Sequence, residues 1–534
     1  MARTRPRPRP DRTQTLSPVT TACPVCHHAL WAAYDNFRTI TTLDSVLHLT
    51  LHIRRCPNPD CSRFLRPYRP EAEAHFALPH HEFGLDVIAL VGRLRHAEHR
   101  STTEIYQALT RQGLAVAPRT VTNLLDRYDE LRALATADPK RLAPLLRQQG
   151  RVVLAIDGLQ PDVGHEVLWV LRDCLGGEVL LAKSLLSATI KDLSALLQEV
   201  RDAVGVPITG VISDGQSTIR KAVARTLPKV PHQLCHFHYL REAAKPIYEA
   251  DRHAKKELKK RVRGVRPIER AAQAEDDVEA EIVRSYCAAV RAALTDDGRA
   301  PLAAPGLKLH GRLEKIRVSL DKVVACAGQV PVGLKRLRQL LQRGLQETAT
   351  LWPPVRAAYK WVHRVARLLD NKAALPAKKV RRRLNEMLRR MTKAATVAEP
   401  SVAASLRRFV KVSKSYRPGL FGCYAHAELP RTNNDLEHLF GSHRYHERRA
   451  SGRKVASPGL VVMGSVRVVS GLATRLRPEE GLRLRSGYVE QWQQVRAALE
   501  KRRKTRRQQR RFRREPDQYL HELEQLCLQL SLPS

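Results

Sequence analysis

Two stretches of sequence decide the fold class: VVLAIDG at residues 152–158 and GVISDG at residues 210–215. Each is a run of apolar, mostly β-branched residues that ends in an aspartate and a glycine. This pattern predicts a buried β-strand closed by Asp157 or Asp214. Carboxylates at the ends of strands in one sheet can lie side by side, and the glycine lets backbone and substrate approach. The alternative interpretation is a pair of ordinary Asp-Gly turns, which are common.

The residues around these strands extend the pattern to an α/β domain. Strands are predicted over 165–174 and 178–186, with a glycine pair at the turn between them, and helical periodicity covers 190–204. A further short strand is predicted over 232–235. Strands that alternate with helices in this way indicate a mixed sheet with flanking helices.

The two aspartates suit the chemistry of phosphodiester transfer. That reaction requires an attacking oxygen to be activated and a leaving oxygen to be neutralised, and two divalent metal ions held by carboxylates can do both. Mg²⁺ prefers oxygen ligands and keeps several waters, so two or three acids brought together by a sheet are sufficient. Asp157 and Asp214 are therefore candidate ligands of catalytic Mg²⁺ or Mn²⁺.

The overall charge points to a polyanionic partner. The 534 residues include 93 Lys and Arg against 53 Asp and Glu, a formal net charge of +40, and nucleic acid is the leading candidate for such a field. With 43% hydrophobic residues, the chain is expected to fold into several domains. The N-terminus lacks an apolar signal core, and no stretch approaches roughly 18 apolar residues. We therefore expect a cytoplasmic, nucleoid-associated protein.

Four of the ten cysteines form two tight pairs near the N-terminus. Cys23-x2-Cys26 and Cys56-x4-Cys61 supply four thiolates that can surround a structural Zn²⁺, and the segment between the pairs alternates as a hairpin does. This predicts a zinc-ribbon-like domain over 21–70, in which the metal builds the fold and takes no part in chemistry. The alternatives are unligated cysteines, or one histidine ligand from His27, His28 or His52.

Residues 80–140 are predicted to be helical and to contain a helix-turn-helix. Thr102 is the predicted cap of a helix over 103–111, Gly113 lies in the turn, and a second helix begins near Pro118. The N-terminal end of that second helix would read base edges of DNA. The residues predicted there are Arg119, Thr120, Thr122 and Asn123. An ordinary helical hairpin is the alternative.

Cations are concentrated at both ends of the sequence. Residues 1–20 form a basic Pro/Arg arm, predicted to be extended, with arginines at positions 3, 5, 7 and 9. Residues 471–534 form a basic helical tail, with ten Lys and Arg in positions 501–514. Each segment would contact DNA phosphates or, alternatively, remain solvated.

The acidic residues belong to a longer pattern. Cys235-x2-His238 follows Asp214, and Thr432-Asn433-Asn434-x2-Glu437 precedes a basic segment that ends in Ser451-Gly452-Arg453. Together these motifs resemble the DDE transposases of the mutator-type superfamily, a group that includes bacterial insertion-sequence transposases. The resemblance covers residues 151 to 455.

The resemblance implies a fold, a cofactor and partners. It implies an RNase H-like core over 150–240 and 431–470, interrupted by a large all-α insertion over 241–430. It also implies Mg²⁺-dependent strand cleavage and strand transfer at the ends of a mobile element. The implied metal ligands are Asp157, Asp214 and Glu437. The implied partners are double-stranded DNA, both as terminal repeats and as target, and further copies of the chain.

Several residues of the pattern have alternative interpretations. Asn434 as a helix N-cap would make Glu437 a capping-box residue, and Glu447 is an alternative third acid. Cys235 and His238 are implied to be an auxiliary structural or DNA-contacting pair; half a zinc site or an ordinary buried pair is the alternative. A group of cations after the third acid is placed to hold phosphates, or forms a solvated helix face. Its members are Arg444, Arg448, Arg449, Arg453 and Lys454.

Two other classes of function compete with this hypothesis. A non-catalytic DNA-binding regulator derived from a transposase would keep the zinc ribbon and the helix-turn-helix. An RNase H-like nuclease would cleave strands without joining them. A motor ATPase is disfavoured because the sequence has no Gly-x4-Gly-Lys-Ser/Thr loop.

Overall fold

The computed structural model describes residues 8–160, 166–274, 277–298, 300–326, 329–453, 456–478 and 489–530. The strands are β1 (Arg12–Leu16), β2 (Trp31–Thr41), β3 (Val46–Arg55), β4 (Pro67–Tyr68), β5 (Val152–Leu159), β6 (Val167–Asp173), β7 (Val179–Leu185), β8 (Ile208–Ser213) and β9 (His232–Leu234). Within these residues, no helix is both long and apolar enough to cross a membrane.

Helices make up most of the remaining structure. They are α1 (Leu85–His96), α2 (Thr102–Arg111), α3 (Pro118–Ala137), α4 (Pro139–Gln149), α5 (Ile190–Val204), α6 (Ser217–Thr226), α7 (His236–Ala243), α8 (Lys245–Arg261), α9 (Val265–Gln273), α10 (Val278–Thr295), α11 (Pro305–Cys326), α12 (Val332–Glu347), α13 (Trp352–Asp370), α14 (Ala377–Val397), α15 (Pro400–Tyr416), α16 (Asn434–Ser451), α17 (Pro458–Met463), α18 (Ser465–Leu476), α19 (Val489–Arg514) and α20 (Pro516–Leu530). Short 3₁₀ helices occupy Glu71–His75, Ala349–Leu351, Arg417–Gly419 and Gly422–Tyr424.

The chain divides into two compact units. The first contains Met1–Ile208 and Asn434–Ser534, and the second contains Thr209–Asn433. The mixed α/β class predicted from the sequence is confirmed, because both units combine strands with helices.

The N-terminal sheet of the first unit is built on the hairpin of β2 and β3. Alternate side chains of β3 from Leu47 to Ile53 are buried, as the alternating sequence predicts. Within the predicted extended arm, Arg12–Leu16 form a strand, β1, that pairs in parallel with β3, a pairing that the sequence did not predict. Residues 12–16 contain no proline, so the alternate N–H groups of β1 that face β3 are all available to donate to it. Arg3, Arg5 and Arg7 of the arm lie outside the described residues.

Helices α1, α2 and α3 pack around one apolar core. The predicted cap of α2 was one residue late: Ser101, rather than Thr102, caps the helix, and it forms a reciprocal capping box with Glu104. Gly113 has φ +80°, which suits glycine, in the turn before Pro118 opens α3. Two helices joined by a turn therefore lie where the sequence predicts a helix-turn-helix, an arrangement that an ordinary helical hairpin shares.

The third layer of the first unit is a meander of β5, β6 and β7 with α5 beside it. The prediction that β5 closes at Asp157 is wrong, because the strand continues to Leu159. Asp157 pairs with Val170, and the next two residues pair with Trp169 and Leu168 of β6. The apolar residues of β6 continue past the acid and keep the ladder formed, so Asp157 lies within the strand.

The second unit begins with a small parallel pair of strands and continues as helices. In β8 and β9, Val211 pairs with His232 and Ser213 pairs with Leu234. From α7 to α15 the described residues are helical apart from short connections, and they enclose two apolar cores. In α12, the helical face that runs from Leu334 to Leu345 is buried, as its periodicity predicts.

Candidate functional site

Asp214 follows the last residue of β8, as the sequence predicts. Its carboxylate is half-buried, and Oδ1 accepts the N–H of Gln216 at 3.0 Å. The glycine after it has a local cause: a Cβ at position 215 would lie 1.9 Å from Cζ of Tyr416. Gly215 therefore lets the ring of Tyr416 lie against the turn that carries the acid.

Tyr416 was not singled out by the sequence, since a tyrosine at the end of a helix carries no specific signal. Its hydroxyl donates to Oε2 of Glu242 at 3.0 Å, and the guanidinium of Arg220 lies 5.9 Å from the ring centroid. Burial raises the pKa of Tyr416, and the negative charges of Glu242 and Asp214 raise it further. Tyr416 is therefore a protonated hydrogen-bond donor beside the Asp214 turn.

Cys235 forms several hydrogen bonds with the backbone next to this turn. It precedes α7, donates its N–H to the carbonyl of Ser213 at 2.8 Å, and accepts the N–H of Asn433 on its sulfur at 3.3 Å. His236 is bonded through Nε2 to the carbonyl of Leu420 at 2.8 Å, and burial lowers its pKa to about 4. These contacts favour the structural interpretation of Cys235.

His238 is half-buried on α7, with its ring edge-on to Phe237. Across the described ranges, the only group of three or more His, Cys, Asp or Glu with metal-binding spacing is the N-terminal cysteine cluster.

Asp157 and Glu437 belong to the first unit, in which α16 packs against β5. Oδ1 of Asp157 accepts the N–H of Gly158 at 2.8 Å. Helix α16 begins at Asn434, so Asn434 is its first helical residue. The alternative interpretation of the sequence made Asn434 the N-cap, one position before the helix. Glu437 is half-buried in the first turn of this helix, where the helix dipole favours negative charge.

Glu447, near the opposite end of α16, has different surroundings from Glu437. Glu447 is 6% exposed, and its Oε2 accepts a hydrogen bond from Ser457 at 2.8 Å. His443 and His446 are buried beside it on the same helix, and burial lowers the pKa of His443 to about 4. Glu447 is thus a buried structural group, which weighs against it as the third acid.

The outer face of α16 and the residues that follow it carry the predicted phosphate contacts. Arg444, Arg448, Arg449 and Arg453 are exposed, and Arg449 lies 3.9 Å from Glu104 on α2. Lys454 lies outside the described residues. In the predicted recognition helix, Arg119 and Asn123 are exposed, and Thr120 and Thr122 are half-buried. These side chains are accessible to a ligand.

A buried ionic network joins α1, α3, α18 and α19 in the first unit. Asp129 is fully buried, and it is bonded by Nε2 of His96 and by Nε of Arg467, both at 2.7 Å. Arg467 also reaches Asp126 at 2.8 Å, and Arg503 reaches the other oxygen of Asp126 at 2.6 Å. Burial would raise the pKa of Asp129, but the nearby charges of Arg467 and His96 hold it below its usual value.

Trp492 connects the tail to the same network. Its Nε1 donates to Oε2 of Glu130 at 2.8 Å, and burial raises the pKa of Glu130 to about 8. Further along α19, Arg502 pairs with Glu166 at 2.5 Å and Arg507 with Glu500 at 3.0 Å. Several cations of the tail are therefore structural, which sequence composition alone does not reveal.

The four N-terminal cysteines come together. The sulfurs of Cys23 and Cys61 are 3.8 Å apart and those of Cys26 and Cys56 are 3.4 Å apart. All four sulfurs lie within 4.8 Å of one another. Thiolates around a tetrahedral zinc at about 2.3 Å would be about 3.8 Å apart. The cluster could therefore hold a metal such as zinc.

The surroundings of this cluster favour an all-cysteine set. The hydroxyl of Tyr68 lies 3.2 Å from the sulfur of Cys23, and this hydrogen bond lowers the pKa of that thiol to about 6. His28 is bonded to the carbonyl of Cys26 at 3.1 Å, and His52 is bonded to Asp35 at 2.6 Å. Neither histidine belongs to the cluster.

The sequence was compared with known protein families and with curated proteins. No match was found among curated proteins. Residues 191–302 match the family model described as "Transposase, Mutator family". The matched segment includes Asp214, Cys235 and His238, whereas Asp157 and Glu437 lie outside it. Residues 191–302 are therefore similar to a segment of Mutator-family transposases, and this similarity supports a mutator-like transposase.

Proposed function

We propose that this protein is a DNA transposase that cleaves and joins DNA strands at the ends of a mobile element, with Asp157, Asp214 and Glu437 as ligands of catalytic Mg²⁺ or Mn²⁺. The family match carries the proposal, because it spans the β8 strand and the acid that follows it. A half-buried aspartate on β5 and a half-buried glutamate on the helix packed against β5 support the other two positions.

The donor set fits a hard divalent cation. Carboxylate oxygens are the ligands that Mg²⁺ prefers, and Mg²⁺ needs few of them because it keeps several waters. When bound, the metal ions would activate the attacking oxygen and neutralise the leaving oxygen. The protein holds its side chains for this task through backbone contacts: Gly158 N–H fixes one oxygen of Asp157, and Gln216 N–H fixes one of Asp214.

The remaining predicted residues would bind DNA. In this proposal Arg119, Thr120 and Asn123 read the terminal repeats from the first turns of α3. The exposed arginines of α16 and of the residues after it would hold phosphates near Glu437. The four cysteines would hold a structural Zn²⁺ with no open coordination position, so that metal would stabilise the ribbon only. Transposition on paired ends would also require further copies of the chain.

The decisive experiment measures end cleavage and strand transfer on DNA that carries the element's own ends, with Mg²⁺. Asp214→Asn should abolish both reactions and leave DNA binding intact, because it keeps the shape of the side chain and removes its charge. Asp202→Asn is the matched control: it changes an exposed aspartate on α5 in the same matched segment, and its activity should equal wild type.

Other outcomes would favour the competing functions. Binding without cleavage in the unmodified protein would indicate a regulator derived from a transposase. Cleavage without joined products would indicate an RNase H-like nuclease. Equal activity of Asp214→Asn and Asp202→Asn would overturn the assignment of Asp214.

A further inference from the structure

Helices α14 and α15 form a hairpin with an unusual charge. The two helices are joined by two residues and pack along each other. Residues 377–416 contain twelve Lys and Arg against only two acids, Glu386 and Glu399. This segment therefore carries a quarter of the formal net charge of +40 in 40 of the 534 residues.

Helix α14 buries an apolar face in the core and exposes its cations on the other faces. Val380, Leu384, Leu388, Met391 and Ala395 are buried in the core of the second unit. All eight Lys and Arg of α14 are exposed, at positions 378, 379, 381, 382, 383, 389, 390 and 393. The basic residues are therefore not needed to build the helix or its core.

Acidic partners do not neutralise this face. Arg382 lies 3.8 Å from Glu386, the one acid on the helix. Among the residues that the structure describes, the other seven cations of α14 form no ion pair. Helix α15 adds exposed Arg407, Lys411 and Lys414 and contains no acid of its own. Like charges three and four residues apart repel each other along a helix, and a polyanion would relieve that repulsion.

Elsewhere in the same unit, several exposed cations have acidic partners. Lys260 pairs with Glu257 at 2.7 Å, Arg261 with Glu347 at 3.0 Å, and Lys308 with Asp296 at 2.8 Å. These cations are as exposed as those of α14, yet each has an acid beside it. The hairpin differs from these sites in its ratio of twelve cations to two acids.

We propose that the α14–α15 hairpin binds the phosphate backbone of duplex DNA without reading its sequence. A helix of 21 residues is about 31 Å long, which spans about nine base pairs at roughly 3.4 Å each. Cations along such a length can contact several successive phosphates. The proposal rests on the proposed function only in the choice of DNA as the polyanion, and it adds a binding surface that lies outside the helix-turn-helix and outside the acids.

The test compares two full-length variants that lose the same charge. The hairpin variant carries Arg381→Gln, Arg383→Gln, Arg389→Gln and Arg390→Gln. The control variant carries Lys260→Gln, Arg261→Gln, Lys308→Gln and Arg312→Gln, four cations that have acidic partners. Binding to a duplex of unrelated sequence is measured by fluorescence anisotropy over a range of salt concentrations. Circular dichroism of each variant reports the fold.

The expected result is a difference in salt dependence. Each phosphate contact contributes about 0.9 to the slope of log K against log salt, so the hairpin variant should lose about 3 to 4 from the slope and bind roughly tenfold more weakly or worse. The control variant should change the slope by less than about 1. Replacing the same four arginines by lysine should preserve the slope, because the charge is retained. Equal losses in both variants, or no loss in the hairpin variant, would overturn the proposal.

Failure of this proposal can be separated from failure of the transposase function. The hairpin variant should still cleave end DNA at low salt and saturating DNA, because the three acids are intact. Asp214→Asn should show the full salt slope without chemistry. If the hairpin variant loses binding to single-stranded RNA while its duplex DNA slope is unchanged, the surface serves a different nucleic acid and the proposal is wrong.

Discussion

Replacing Arg467 by methionine should destabilise the first unit strongly. Its guanidinium is 5% exposed and bonds to Asp129 at 2.7 Å and to Asp126 at 2.8 Å. Methionine has a similar length but no charge. The substitution therefore leaves two carboxylates in the interior with one cation fewer.

The size of the effect follows from burial. Removing one partner of a buried pair costs about 3–5 kcal/mol, because the remaining charge stays buried without compensation. Asp129 keeps His96, and Asp126 keeps Arg503, so we expect the lower half of that range. With a urea dependence of about 1–3 kcal/mol per molar, the unfolding midpoint should fall by about 1–4 M. A surface pair gives the contrast: Arg100 is 42% exposed beside Glu98 at 2.7 Å, and Arg100→Met should cost less than about 1 kcal/mol.

Unfolding in urea should be monitored through the hydrogen exchange of peptides from α3 and α18, because both helices belong to the first unit. A second substitution, Asp129→Asn, should recover part of the lost stability, because an amide can still accept the hydrogen bond of His96 without a charge. If Arg467→Met shifts the midpoint no more than Arg100→Met, the network does not stabilise the unit. If Asp129→Asn adds its full cost to Arg467→Met, the two side chains are not coupled.

Two further predictions concern the zinc cluster and the buried histidines. Purified protein should contain one zinc per chain, and chelation should open residues 21–68 to hydrogen exchange while α14 stays protected; protein isolated without zinc would rule out the metal. Burial holds the pKa of His443 at about 4, below its usual 6.5, so the unfolded chain binds a proton more readily than the folded protein between these values. The free energy of unfolding should therefore be highest above pH 6.5 and should decrease by about 3 kcal/mol in total as the pH falls to 4. Among the described residues, neither ring nitrogen of His443 has a hydrogen-bond partner, so His443→Leu should reduce this pH dependence of the free energy of unfolding, measured with urea. The control His521→Leu, on exposed α20, should leave the pH dependence unchanged. An unchanged decline in His443→Leu would show that another group causes it.

Local signals made part of the fold predictable. Helix α5 occupies Ile190–Val204, the range predicted, because Thr189 and Asp192 form a capping box at its start and Gly205 follows its end with φ +64°. The cysteine cluster was predictable for a similar reason: each knuckle is encoded within a few residues, and a hairpin brings the two knuckles together.

Features that depend on distant partners were not predictable. Asp129 and Arg467 are 338 residues apart in sequence, and each alone is indistinguishable from a surface charge. The charged run in the second half of α3 suggests an exposed helix, whereas α18 and α19 cover it. The strand β1 was missed because its pairing partner, and not its own composition, makes it a strand. The extension of β5 past Asp157 likewise depends on β6.

The choice of third acid shows how the structure adds to the sequence. Glu437 and Glu447 lie on one helix, ten residues apart, so they are separated by about 15 Å along the axis and by about 80° around it. One helix cannot present both carboxylates to the same metal. Glu447 is buried and accepts the hydroxyl of Ser457, while Glu437 lies half-buried in the first turn, on the helix that packs against the strand of Asp157. Because a metal ligand must reach a site that DNA can enter, these environments favour Glu437, and the family resemblance points to the same residue.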